Sequence, residues 1–133
     1  MPELMQLVGI NIQTVLQSFP VKTNYRLEGS QVQDFRCDAK KHALEEHPKE
    51  ACGVVVNGKY FRCRNVADKP ENDFILEARD YVKARSNGKI EAIIHSHPKG
   101  GKESPADQKA CSRTKINWHI YLTPKDEWLT IKP

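Results

Sequence analysis

The sequence lacks any apolar run long enough to cross a bilayer: stretches such as residues 52–56 and 92–94 fall far short of the ~20 residues a spanning helix needs. No membrane partner is expected. Its opening, Met1-Pro2-Glu3, lacks a basic segment leading into an apolar one, so export by a signal peptide is not expected either. No two cysteines stand as CxxC. With nothing pointing to secretion, Cys37, Cys52, Cys63 and Cys111 are expected to be reduced thiols. Charge clustering is missing too: 21 Lys and Arg and 17 Asp and Glu, a formal net charge of +4, are spread over the length. Without a basic stripe to track phosphates, no nucleic-acid partner is expected. Internal repeats and low-complexity tracts are also absent.

What is present fits one domain with tails: 133 residues, 38% hydrophobic and 29% charged, hold a single core but not two. Residues 1–33 differ from the rest. They are polar and glutamine-bearing, with one amphipathic stretch over residues 4–19, then Pro20 and a Gly29-Ser30 turn signal, and they are read as an appendage to a domain over residues 34–133. A helix is predicted over residues 38–47, with Asp38 as N-cap, Ala43 and Leu44 facing inward, and Pro48 as its stop. Strands over residues 53–56 and 60–64 flank Asn57-Gly58, a pair suited to a type I′ hairpin turn because both positions tolerate positive φ. Cys52 opens the first strand and Cys63 alternates with Phe61, so both read as small packed hydrophobes.

A polar connection over residues 65–73 precedes a strand at 74–76 and a helix over 78–85 that Asn87-Gly88 ends. Residues 90–95 are short, apolar and β-branched, the pattern of a buried strand. After a loop over 99–103, Ser104 at an N-cap and Pro105 at the first helical position predict a helix to about residue 113. Two strands, over 116–122 and 128–131, close the chain. Helices alternating with strands predict an α/β fold with a mixed sheet sandwiched by helices.

The chemistry concentrates at His95-Ser96-His97, at the end of the buried strand, because residues i and i+2 of an extended chain project to one side. Two imidazoles then converge. A catalytic zinc takes three protein ligands and leaves a position for water, and Asp107, in the first turn of the following helix, supplies a third. Taken alone, these pieces favour a plain reading: two core histidines on a strand, an ordinary helix start, and Glu50 as a solvated charge in an acidic run. His42, His47 and His119 have no matching ligand position and are assigned no role, and Trp118 and Trp128 read as core or groove aromatics.

His-Ser-His-Pro followed by Ser104 and Asp107, with Glu50 upstream in His47-Pro48-Lys49-Glu50-Ala51-Cys52-Gly53, resembles the signature of the JAB/MPN+ (JAMM) metalloproteases. The resemblance covers about residues 38–122, with its motifs in family order. It implies the cytidine-deaminase-like JAMM fold, zinc held by His95, His97 and Asp107, Glu50 as general base, and Ser104 assisting at the oxyanion. The run of Pro48-x-Glu50-x-Cys52-Gly53, Tyr60 to Asn65, His-Ser-His-Pro and a late Trp118-His119-Ile120 is similar to the amino-terminal domain of tail-assembly proteins of long, flexible-tailed phages. Those proteins often continue into a cysteine-peptidase domain directed at cell-wall peptides.

The resemblance implies a zinc-dependent peptidase or isopeptidase with a peptide or protein substrate, other phage tail proteins as partners, and a place in the host cytoplasm during assembly or in the virion tail. The alternative is a non-catalytic assembly module that keeps the fold. One departure stands out: the loop over residues 99–103 is one residue shorter than the family's usual spacing, and Gly100-Gly101 are expected to absorb the difference.

Overall fold

The computed structural model describes residues 34–133; the appendage expected over residues 1–33, with its amphipathic stretch at 4–19, lies outside the described residues. The elements run α1 (Phe35–Glu46), β1 (Cys52–Val56), β2 (Lys59–Cys63), α2 (Ala78–Arg85), β3 (Ile90–His97), α3 (Pro105–Thr114), β4 (Asn117–Leu122), a short 3-10 turn (Thr123–Lys125) and β5 (Glu127–Ile131). The five strands form one mixed sheet in the order β2-β1-β3-β4-β5. β3 and β4 pair in parallel through the α3 crossover, and the other pairs are antiparallel.

Strand periodicity divides the core between two faces. Cys52, Val54 and Val56 of β1, Ile93 of β3, Trp118, Ile120 and Leu122 of β4 and Ile131 of β5 join Tyr81 and Ala84 of α2 and Ala110 and Cys111 of α3. Their neighbours in sequence point the other way. Val55, Ala92 and Ile94 pack with Tyr60 and with Ala39 of α1, while Tyr121 meets Ala43. The sheet is thus sandwiched, with α1 on one face and α2 and α3 on the other. A side chain such as Trp118 or Ile120, fully withdrawn from water, contributes about 1.5–3 kcal/mol by burial.

Local signals fix several joints as predicted. Asn57 and Gly58 both take positive φ, +52° and +75°, and the freed turn amides donate to the carboxylate of Glu91 on β3 at 2.9 and 3.0 Å. Gly53 is required for a different reason: a Cβ there would stand 2.4 Å from the Phe61 carbonyl oxygen and 2.5 Å from the Tyr60 ring. The ring occupies the side-chain space.

Three expectations need correction. α1 begins at Phe35 rather than residue 38, and its cap is Asp34, whose carboxylate accepts from the Arg36 amide at 2.9 Å; Asp38 sits in the first turn. Leu44, expected inward, is 53% exposed, because the sheet meets α1 along Ala39, His42 and Ala43. Residues 74–76 form no strand, only a single bridge between Asn65 and Leu76.

Candidate metal centre

β3 and α3 assemble the centre from opposite sides of one loop. On β3, His95 and His97 share the face of Ile93, turned toward α2 and α3, while Ser96 points to the α1 face, as a two-residue period requires. Ser104 caps α3 and accepts the Asp107 amide at 3.0 Å, and the Asp107 carboxylate returns to the Ser104 amide at 2.9 Å. This reciprocal capping box holds the Asp107 side chain on the strand side of the helix. The short loop closes the distance with Gly100 and Gly101 at φ of +81° and +88°, backbone conformations that other residues adopt only at a cost.

The result is a triangle of donor atoms. His95 Nε2 and His97 Nε2 stand 3.2 Å apart, His97 Nε2 lies 3.1 Å from Asp107 Oδ2, and His95 Nε2 lies 3.3 Å from Asp107 Oδ1. Among the described residues these three form a group that could hold a metal ion. Two imidazole nitrogens aimed at each other and at a carboxylate repel unless protons or a cation lie between them. Burial pushes the His95 imidazole below its ordinary value against the pull of Asp107. At Asp107 burial favours the neutral acid, but the contacts with His95, His97 and the Ser104 amide outweigh it and hold the carboxyl well below its usual range.

His95 is the more enclosed of the two ligand candidates. Its ring stacks on Phe74, centroids 4.3 Å apart at 21°, and meets the edge of Trp118 at 5.5 Å; Nδ1 has no hydrogen-bond partner among the described residues. His97 opens onto a cleft of about 220 Å³ that Glu50, Asp73, Phe74, Ser104 and Asp107 also line. Glu50, 7% exposed, therefore faces the same space as the triangle. Burial, reinforced by the carboxylates of Asp107 and Asp73, raises its carboxyl to about 8, which keeps it largely protonated at neutral pH.

Glu50 arrives there through long-range contacts. β1 and β3 are antiparallel with Cys52 opposite His95, which brings residues 50 and 51 beside the end of β3. Ser96 fastens the junction twice, its hydroxyl accepting the Ala51 amide at 2.9 Å and its own amide donating to the Ala51 carbonyl at 3.0 Å. All five residues singled out in the sequence thus meet at one end of the sheet. Ser96, Phe74 and Asn65, which brace them, were given no role from sequence. Ser96 carries a readable signal, a hydroxyl facing away from its two histidine neighbours on a strand, whereas the long connection around Asn65 and Phe74 carries none.

Comparison with known proteins identifies the family and the fold. The chain is 39% identical over 97 residues to the tail tip assembly protein K of Escherichia phage N15, a match taking in 69% of this chain and 40% of that protein. It spans well under half of that relative's length. A protein of Desulfitobacterium hafniense solved in solution superposes with a TM-score of 0.59 at 19% identity, over 74% of this chain and 78% of the other, a likeness of fold. Residues 38–130, which carry the sheet, the histidine strand and the capped Asp107, match the prokaryotic homologs of the JAB domain, and the chain belongs to that family.

Proposed function

We propose that this domain is a zinc-dependent peptidase or isopeptidase acting in phage tail assembly, with zinc on His95, His97 and Asp107. The observation that carries the reading is the triangle with Glu50 in the same cleft. Tetrahedral zinc at ~2.0–2.1 Å from its ligands sets neighbouring donor atoms about 3.3 Å apart, and the edges here measure 3.1, 3.2 and 3.3 Å. The donors fit. Three protein ligands, without a fourth Cys or His among the described residues, also match a site that leaves a position for water rather than a structural one.

Bound zinc supplies a water of pKa about 7 and polarises the scissile carbonyl. Glu50 accepts the water's proton and passes it to the leaving amine. Beside a bound dication Glu50 would be favoured as the ionised carboxylate, against the push of burial and of Asp107 and Asp73, and would be competent as a base. The Ser104 hydroxyl accepts the Asp107 amide with one lone pair, and its own hydrogen is left to donate to the carbonyl oxygen as charge develops there.

The test joins metal analysis to chemistry. One zinc per chain is expected, lost in His97→Ala and Asp107→Ala, while Glu50→Gln keeps zinc and fold and loses roughly 10²–10⁴-fold in peptide hydrolysis. Peptides from tail-protein junctions and cell-wall cross-links are the substrates to screen. A well-folded protein that takes up no zinc on titration, or a Glu50→Gln protein as active as wild type, refutes the mechanism. The phage relative's name describes assembly and favours a second reading, a non-catalytic assembly module with the same fold; wild type that binds zinc yet cleaves nothing supports it.

A further inference from the structure

Asn65 lies two residues beyond β2, in the connection to α2, and touches no proposed ligand. Its carboxamide nevertheless makes four close hydrogen bonds and one longer contact that shares a hydrogen, all to main chain. Nδ2 donates to the carbonyls of Glu50 at 2.9 Å, Asp73 at 2.9 Å and Pro70 at 3.4 Å. Oδ1 accepts the amides of Ala67 and Ile75, both at 3.0 Å. Residues 65–75 are wrapped around this one side chain, and the loop then grips Glu50 a second time, the Glu50 amide donating to the Pro70 carbonyl at 2.7 Å.

The main chain of Glu50 is therefore held on both sides by a loop whose conformation Asn65 sets. The same loop delivers Asp73 to the cleft wall and Phe74 to the face of His95. Few side chains can do this, because the site needs two acceptor lone pairs on one branch and two donor hydrogens on the other. Aspartate keeps the acceptor branch but turns a second oxygen toward three carbonyl oxygens.

We infer that Asn65 is the positioning residue for the base of this centre, fixing through the Glu50 carbonyl and the loop over residues 65–75 where the Glu50 carboxyl stands relative to His95, His97 and Asp107. The inference rests on the reading of Glu50 as general base and deepens it. Asn65 touches no reacting atom.

The experiment uses the full chain loaded with cobalt(II) in place of zinc, so that paramagnetic relaxation reads the distance from the metal to Glu50 side-chain nuclei. In Asn65→Asp the amides of Ala67 and Ile75 stay protected from exchange, since an oxygen still accepts from them. Glu50 loses its fixed distance to the metal, and its amide exchanges about tenfold faster or more, as expected when a local hydrogen bond opens. His95 and His97 signals and metal content stay as in wild type. Peptide hydrolysis falls about 10²-fold in kcat with little change in KM, the scale of an ångström-level misplacement.

An Asn65→Asp protein whose Glu50 distance and amide protection match wild type overturns the inference. Asn65→Ala, which frees the whole loop, should show the larger effect. If both variants fail to fold, wild type decides, because slow exchange of the Asn65 Nδ2 protons is required and fast exchange rejects the assignment. A chain that takes up no metal removes the zinc reading, and the Glu50 amide in Asn65→Asp then tests Asn65 by itself.

Discussion

Among the described residues two histidines are buried, one on each face of the sheet, and they show what separates a packed histidine from a candidate ligand. His42 on α1 is 5% exposed, its Nδ1 2.7 Å from the Tyr60 hydroxyl; His95 on β3 is 1% exposed and faces His97 and Asp107. Burial is the leading cause that lowers the pKa of both. Neither burial nor titration tells them apart. The difference is in the partner count: His42 and Tyr60 form a closed donor–acceptor pair, whereas three electron-pair donors converge where His95 meets His97 and Asp107. A closed pair stabilises the fold, and an open convergence invites a cation.

The largest expected effect tests that difference directly. Zinc that binds only the native chain stabilises it, and at ~1,000-fold excess over Kd the melting temperature should rise by roughly 15 °C. His95→Gln should abolish the rise and His42→Gln should leave it whole, as read by thermal denaturation with and without chelator. Equal loss in both variants would break the comparison.

Next in size is the acid limb at His42. Burial, then the Arg62 charge, lower its pKa from 6.5 to about 4, so the folded state prefers the neutral ring. The stabilisation this ring contributes is fully present above pH 6.5 and is lost as pH falls through about 4. The loss is on the order of 3 kcal/mol. Urea midpoints measured from pH 7 to pH 4 should flatten in His42→Gln, which keeps a partner for the Tyr60 hydroxyl without a proton to gain.

Glu50 has the opposite sign. Its folded pKa is raised from 4.5 to about 8, so its contribution is present below pH 4.5 and lost as pH rises through about 8. In the zinc-free chain at pH 6, Glu50→Gln should therefore be more stable than wild type, by on the order of 2 kcal/mol. Zinc should shrink the gain by favouring the carboxylate. No gain in urea denaturation of the zinc-free pair would mean that Glu50 ionises there without cost.

The smallest effect is at the helix cap. Ser104→Ala should cost about 1 kcal/mol through loss of the cap, while Ser104→Gly costs only a few tenths. Hydrolysis that falls in both variants by far more than zinc content or stability does would support the hydroxyl at the developing oxyanion.

The legible parts of the fold were those with local causes. Asn57-Gly58 predicts its own turn, and residues 90–95 predict a buried strand because Ile90, Ala92, Ile93 and Ile94 make it apolar and mostly β-branched apart from Glu91 and His95. Ser104-Pro105 predicts a capped helix from hydrogen bonds within four residues. Where the local signal was degenerate, the reading slipped: Asp34 and Asp38 both suit a cap, and only the contacts of Phe35 with the sheet face select the first. Leu44 looks like a core residue by type, yet the angle at which α1 meets the sheet leaves it in water.

By itself the sequence determined which side chains the proposed centre draws on. The two-residue period puts His95 and His97 on one face, and the capping box holds Asp107 in the first turn of its helix; both are consequences of backbone geometry over a few residues. The tertiary structure alone decided that Glu50 joins them. That meeting depends on β1 pairing antiparallel with β3 in the register Cys52 to His95, on Ser96 clamping Ala51 across 45 residues, and on Asn65 folding a loop around its carboxamide. The strand pairing and the Ser96 clamp join groups remote in the chain, as does the Asn65 bond to the Glu50 carbonyl, and pairing of that kind is set by packing of the whole sheet, which no local pattern encodes.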